Sequence, residues 1–507
     1  MKNKQLPKSW TETKITELLV LNSNGKPFQQ GWSPRCETKP AASDEWGVLK
    51  TTAIQNGIFW PHENKKLPEK LQARPQIEVK EGDILMTCAG PRSRCGVTCF
   101  VEKTDPKLLL SGKMYRFKTE PQIMEAKYLA YFLAEHTTQQ HIDRMKTGIN
   151  DSGLNLTHDR FSKLDVKVAP LNEQRRIVEK IEKLFSELDK GEETLRDVQK
   201  LLARYRQSVL KAAVTGELTT DWRAQNAGKL ESGQDLLTSI LQTRRETWEG
   251  RGKYKEPVEP DTTDLPELPK HWACASLDQL IYDGPTNGTS PKETLSGNGC
   301  PSFKLTATTS GNFIISEKTI KIVDTEPEAD SQYWLKTGDV LIQRGNTIEY
   351  VGTAATFPGP DHSYIYPDLM MRVRFTDALI AEWSVLWINF EYAKRHFRRL
   401  ATGIAGNMPK INGTTLKKLP IPIPPRHELE ELVNTIRATE SMRKPTNDWC
   451  KTELARSKAL RQSILKDAFS GRLVPQDESD EPAAKLLARI KQTRASAPKK
   501  TKRKASA

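Results

Sequence analysis

Two acid-x-Lys triplets, Glu78-Val-Lys80 and Asp165-Val-Lys167, fit the loose pattern of metal-dependent nucleases. Such triplets recur in any charged chain, and solvated strand faces are the plainer reading. Cys88, Cys95 and Cys99 cluster at spacings of seven and four, with no His-x-x-x-His nearby. A zinc site needs a fourth ligand and tighter pairs, so these residues read as ordinary thiols and no metal is expected. Gly25-Lys26, Gly112-Lys113, Gly228-Lys229 and Gly252-Lys253 are followed by Pro, Met, Leu and Tyr, so none is the phosphate-cradling G-x-x-x-x-G-K-[ST] loop. Pro424-Pro425 follows Ile423, so it is not the Asn/Asp-Pro-Pro-aromatic motif that grips a flipped adenine amino group. No catalytic residue emerges.

What remains is recognition chemistry. A Gly-Asp-[Ile/Val]-Leu run occurs twice, at Gly82–Leu85 and Gly338–Leu341, and each leads into a polar loop that returns to a glycine. The loops are Gly90-Pro-Arg-Ser-Arg-Cys-Gly96 and Gln343-Arg-Gly-Asn-Thr-Ile-Glu-Tyr-Val-Gly352. Arg92, Arg94 and Arg344 have the fork that pairs bidentately with guanine, and Asn346 the amide that pairs with adenine. Contact with phosphate or water alone is the alternative, because most protein–DNA hydrogen bonds go to the backbone. Two Thr-Gly-Ile segments, Thr147–Ile149 and Thr402–Ile404, should bring Lys146, Asn150 and Ser152, then Asn407 and Lys410, to the same end. Arg116, Arg372 and Arg374 lie on matching strands and are further DNA-contact candidates, with solvated strand faces as the alternative.

These pairs belong to a wider duplication. Leu6-Pro-Lys-Ser-Trp10 recurs as Leu268-Pro-Lys-His-Trp272, and Arg206-Gln-Ser-Val-Leu-Lys211 as Arg461-Gln-Ser-Ile-Leu-Lys466. Gly216-Glu-Leu218 recurs as Gly471-Arg-Leu473, and Leu236-Leu237 with Gln242-Thr-Arg244 as Leu486-Leu487 with Gln492-Thr-Arg494. All keep one order, at offsets between 250 and 262. Each copy opens with short β-type runs such as Ile84–Met86, Val97–Val101, Ile320–Val323 and Met371–Phe375, then a helix, Ala126–Glu135 or Ala378–Phe390. A long helix follows. In the first copy Ile177, Ile181, Leu184, Leu188, Gly191, Leu195, Val198, Leu202, Tyr205, Val209 and Ala212 alternate four and three, a coiled-coil seam ending near Gly216. In the second, Leu429, Leu432 and Ile436 start a seam and Leu460, Ile464 and Ala468 finish one, and Pro445 should break or kink the helix between them. The fold class is α+β: two similar globular domains, each followed by a long helix, with the helices pairing as an antiparallel coiled coil.

The composition suits that plan. The 507 residues are 36% hydrophobic and 28% charged, globular rather than disordered or membrane-embedded, and Met1–Pro7 carries no apolar export signal. Seven scattered cysteines suit reduced thiols in a cytoplasm. Of the formal net charge of +14, residues 491–507 supply seven positive charges and no acid, which reads as a disordered, polyanion-seeking tail.

The Leu-Pro-x-x-Trp openings, the Gly-Asp-[Ile/Val]-Leu strands, Pro170-Leu-Asn-Glu-Gln-Arg-Arg-Ile177 and Arg206-Gln-Ser-Val-Leu-Lys-Ala-Ala-Val-Thr-Gly-Glu-Leu218 resemble the specificity subunit of type I restriction–modification enzymes over essentially the whole chain. The second copy departs from the pattern at Arg426-His427-Glu428 and at Pro445. The resemblance implies target-recognition domains at 1–170 and 266–425, helical spacer regions at 171–265 and 426–490, and the basic tail at 491–507. It implies that each domain reads one half of a split, asymmetric site in double-stranded DNA. It implies further that the helices hold the domains apart and bind two modification subunits. No cofactor would be bound by this chain: S-adenosylmethionine for adenine-N6 methylation, and ATP and Mg for restriction subunits that translocate and cleave, would belong to its partners. A self-sufficient DNA-modifying enzyme and a helical scaffold that binds no DNA are the competing readings.

Overall fold

A computed structural model describes residues 6–22, 24–55, 57–228, 231–248, 253–263, 265–294, 299–403 and 408–496. The chain divides into two compact units, 1–196 with 451–507, and 197–450. Each unit therefore takes one globular domain, one end of the first long helix and the opposite end of the second.

In the first unit a four-stranded antiparallel sheet runs in the order Gln29–Gln30, Met114–Phe117, Ile84–Thr87, Thr98–Phe100. In the second the matching order is Ile281–Asn287, Met370–Phe375, Val340–Gln343, Ala354–Thr356. The Gly-Asp run opens the inner strand of each, and Ile84–Thr87 and Val340–Gln343 are buried on both faces, as a continuous apolar run predicts. The helices Ala126–Ala134 and Ala378–Ile388 fall where expected, the latter burying Trp383 and Trp387 completely. The acid-x-Lys triplets are structural: Lys80 pairs with Glu78 at 2.6 Å, and Asp165 starts an edge strand and pairs with Lys14 at 2.6 Å.

The long helices are Leu171–Val214 and Arg426–Ala468. Their pairing is antiparallel in both units. Glu192 accepts from Ser457 at 2.8 Å and Asp189 meets Arg461 at 2.6 Å in the first unit. Arg206 meets Glu440 at 2.7 Å and Gln199 donates to Asn447 at 3.2 Å in the second. The seam is buried at its ends, by Ile177, Ile181 and Val209, whereas Gly191 and Tyr205 are exposed. Pro445 does not break the second helix, which is continuous from Arg426 to Ala468. A proline removes one intrahelical hydrogen bond, and 19 residues before it and 23 after it supply the rest. The tail also needs correcting. A helix runs Ala483–Ser496, so its first six residues, 491–496, are ordered, with Lys491 3.6 Å from Glu17. Residues 497–507 lie outside the described residues.

The repeated motifs are the joints. Gly216, at φ +75°, ends the first long helix, and a Cβ there would strike Pro269 of the second Leu-Pro-x-x-Trp motif. Gly471, at φ +72°, is related in the same way to Pro7 of the first motif. The motif tryptophans then hold the helix starts: Trp10 Nε1 donates to Glu173 and Trp272 Nε1 to Glu428, each at 3.0 Å and buried. Glycine is required because only it takes the left-handed conformation at no cost while a ring packs on its α-carbon.

Candidate nucleic-acid interface

In the first unit the strand Ile84–Thr87 delivers the loop Gly90–Gly96 against the segment after the helix His136–Met145. Ala89–Gly90 pairs with Leu154–Asn155, and the Arg92 amide donates to the Asp151 carbonyl at 2.8 Å. The Arg92 side chain is about half exposed and meets Asp143 at 2.6 Å and Asp151 at 3.0 Å. Those carboxylates raise the Arg92 pKa, Asp151 most, and the Lys146 ammonium together with Arg92 holds Asp143 below the usual carboxylate range. Asn150 is exposed beside them, and Ile149 at the tip is 102% exposed. A fork held by two solvated acids is pre-shaped and exchangeable, because exposed ion pairs are worth little.

The second unit repeats the plan with different side chains. Gly345 bridges to Lys410, the Asn346 amide donates to the Pro409 carbonyl at 3.3 Å, and Ile411 donates to the Arg344 carbonyl at 2.9 Å. Arg344, Asn346 and Lys410 are thus brought together, as Arg92 and Asn150 are in the first unit. The Arg344 side chain makes no hydrogen bond or ion pair among the described residues. Asn346 is braced from below, its Nδ2 donating to Gln343 Oε1 at 2.6 Å and its Oδ1 accepting from the Thr347 amide at 2.7 Å. Lys410 is exposed. Asn407 lies outside the described residues.

Five candidates belong to the framework instead. Arg372 is 1% exposed, meets Asp283 at 2.7 Å and donates to the Tyr366 hydroxyl at 3.4 Å. Arg374 chelates Asp339 at 2.6 and 3.1 Å and also reaches Asp283. Arg116 donates to Gln29 and to the Glu78 carbonyl, and lies 3.7 Å from buried Asp83. Asp83 and Asp339 are the aspartates of the Gly-Asp runs, and each caps its turn by accepting from the Lys80 or Lys336 amide at 2.8 Å. An aspartate buried at a strand start demands a cation on the neighbouring strand. Burial still pushes Asp83 up, against the Lys80 amide and Arg116. Arg94 turns inward, one nitrogen at 2.5 Å from both the Thr51 and Ile54 carbonyls. Lys146, with a side chain 5% exposed, is spent on Asp143 and the Arg92 carbonyl.

Several residues on the helices that pack against these loops escaped the motif search. In the first unit His136, Gln140 and Arg144, spaced by four on one helix face, line an open cavity of about 500 Å³ together with Arg92. In the second, Arg395 and Arg399, at the positions equivalent to Gln140 and Arg144, line one of about 210 Å³ with Tyr392 and His396. The four-residue spacing was the available signal. Asp143 and Asp151 carried none, because an acid beside a candidate arginine is recognisable only once the chain is folded. Cys88, Cys95 and Cys99 are buried, and burial pushes the Cys88 thiol up to about 12.

Residues 7–196 and 270–440 match the family described as the type I restriction modification DNA specificity domain, in two copies. The chain is 34% identical over 211 residues to the type I restriction enzyme EcoEI specificity subunit of Escherichia coli, covering 41% of this chain and 34% of that protein. It is 24% identical to the EcoKI specificity subunit of Escherichia coli strain K12, over 90% of this chain and 91% of that one. The StySPI specificity subunit of Salmonella potsdam is also 24% identical, over 99% and 100% of the two chains. A solved chain from a study of assembly and conformational transition in a type I R-M system shares the fold at TM-score 0.57 and 18% identity, covering 92% of this chain and 99% of its own. The two matched stretches each cover one globular domain and the first part of the long helix that follows it, and the chain belongs to the type I restriction modification DNA specificity family.

Proposed function

We propose that this chain is the DNA-reading subunit of a type I restriction–modification complex, in which each unit reads one half of a bipartite, asymmetric site in double-stranded DNA. The observation that carries this is the duplicated loop cluster: one scaffold, repeated, presents Arg92 and Asn150 in one copy and Arg344, Asn346 and Lys410 in the other. Equal scaffolds with unequal side chains read two different half-sequences. Guanidinium and amide groups supply direct readout, and the basic composition supplies salt-dependent, sequence-independent attraction.

The long helices set the spacing between the half-sites and seat two modification subunits. Those partners bind S-adenosylmethionine and methylate adenine N6, and restriction subunits use ATP and Mg to translocate and cleave. This chain binds none of these cofactors and is not itself an enzyme; it acts in the cytoplasm on incoming foreign DNA. Its side chains do three things: bind phosphate, orient the loops and pair with base edges. No helix among the described residues is long and apolar enough to cross a membrane.

Mapping N6-methylated adenines across a genome, with and without the gene, tests the reading. A two-part motif that disappears with the gene is expected, and an unchanged methylation pattern refutes it. The purified chain alone should transfer no methyl group from labelled S-adenosylmethionine and cut no DNA. Turnover by the chain alone would show a self-sufficient enzyme instead.

A further inference from the structure

Each loop is closed at its root in the same way. The Gly96 amide donates to the Thr87 carbonyl at 2.7 Å, and the Gly352 amide to the Gln343 carbonyl at 2.8 Å. Both glycines are left-handed, at φ +85° and +75°. A Cβ on Gly96 would strike Ile142, and one on Gly352 would strike Phe397, from the helices His136–Met145 and Glu391–Leu400. One turn earlier on each helix a polar side chain reaches the same root. Gln139 Nε2 donates to the Gly96 carbonyl at 3.1 Å and to the Leu133 carbonyl at 2.5 Å. Lys394 Nζ donates to the Thr353 hydroxyl at 2.5 Å. Ile142 and Phe397, like Gln139 and Lys394, are 255 positions apart, so the two sets occupy equivalent sites of the repeat. Lys394 is only 8% exposed. An apolar side chain would fill such a site without desolvating an amine, yet here an amine is spent on one hydroxyl beside the loop root.

We propose that Gln139 and Lys394 are positioning residues, each latching the root of its unit's loop to the following helix and so fixing the angle at which Arg92, or Arg344 and Asn346, meets the bases. The proposal rests on these loops being the DNA readers. Bidentate pairing depends on direction, and a shift of about 1 Å at the root removes it while leaving charge attraction to phosphate in place.

The test selects duplexes from a randomised DNA library with the full chain co-expressed with its modification subunits. Wild type is compared with Lys394→Met and Gln139→Met, and urea midpoints are measured alongside. Lys394→Met should lower discrimination about tenfold at one or two positions of one half-motif, leave the other half intact and not lower the midpoint. Gln139→Met should do the same to the opposite half. Lys394→Gln, which installs the residue type of the first unit, should restore part of the lost discrimination. Equal losses in both halves, or losses only in step with a lower midpoint, would overturn the latch. So would unchanged motifs in both methionine variants while Arg344→Ala relaxes one half. If Arg344→Ala and Asn346→Ala also relax no position, the loop reading itself has failed. Should Lys394→Met not fold, the half-buried Gln139 decides the question alone.

Discussion

Arg344 and Arg372 lie on neighbouring stretches of the second unit, and the fold assigns them opposite roles that a pair of substitutions separates. Arg372 is 1% exposed, with Asp283 at 2.7 Å and the Tyr366 hydroxyl at 3.4 Å. Arg372→Met keeps most of the volume and removes the charge, so the cavity penalty is small. The larger cost is the loss of a partner for Asp283. Its side chain is 38% exposed and keeps Arg374 at 3.1 Å, so the full 3–5 kcal/mol for breaking a buried pair is discounted to about 2 kcal/mol. Against a typical total stability of about 5–15 kcal/mol that is a clear shift of the urea midpoint. Arg344→Ala breaks no hydrogen bond or ion pair among the described residues, so folding should change by less than about 0.5 kcal/mol. On DNA it should cost about 1–3 kcal/mol, roughly 5- to 150-fold, at one position of one half-motif. Urea unfolding and competition binding on duplexes differing at single positions measure both quantities. The reasoning is refuted if Arg372→Met relaxes a single base position with stability unchanged. It is equally refuted if Arg344→Ala weakens all sequences alike, which would make Arg344 a phosphate contact.

Three further outcomes follow from the same geometry. The pairs Arg206–Glu440 and Gln199–Asn447 place Leu202 opposite Lys444. Seven residues inserted after both Leu202 and Arg443 keep the seam in phase and add about 10 Å, so the unread gap in the methylated motif should grow by roughly three base pairs with both half-sequences kept; an unchanged gap with full methylation would mean that the helices are not the spacer. Burial, with Arg398 adding to it, lowers Lys394 to about 7, far below a free lysine, so between pH 7 and about 10 the unfolded chain holds a proton that the folded chain lacks. Wild-type stability should therefore rise with pH across that window and carry its full penalty below pH 7; Lys394→Met should flatten this slope in urea titrations, and an unchanged slope would count against the buried amine. Glu428 accepts from Trp272, from Thr219 at 2.6 Å and from Arg223 at 2.5 Å, whereas Glu173 accepts from Trp10 and from Gln476 at 2.6 Å, with no arginine bonded to it among the described residues. Glu428→Gln should consequently lower the urea midpoint more than Glu173→Gln does, because only the former takes the counter-charge from a bonded, largely buried guanidinium, and the reverse order would contradict the structure.

The duplication, the long helices and the family were legible in the linear order of residues, because they rest on local rules and on spacing. The seam Ile177 to Ala212 follows the helical period, and the Leu-Pro-x-x-Trp and Gly-Asp motifs announce themselves by recurring. Residue type also placed Arg92, Arg344 and Asn346 on loops, since a polar run between a buried strand and a glycine has nowhere else to go. Only the tertiary structure decided which cations face outward. Arg116, Arg372 and Arg374 have the same chemistry as Arg92, but the aspartates that claim them sit on other strands or loops, and an ion pair with at least one partner buried holds more firmly than the solvated pairs of Arg92. Arg94, two residues from Arg92, was drawn inward by the carbonyls of Thr51 and Ile54, which lie some 40 positions away in sequence. The run of the second helix through Pro445 was settled by the turns on either side of it, and the joints by the packing of Pro7 and Pro269 on Gly471 and Gly216. Periodicity is a property of neighbours along the chain, whereas hydrogen-bond partners and exposure are properties of neighbours in space.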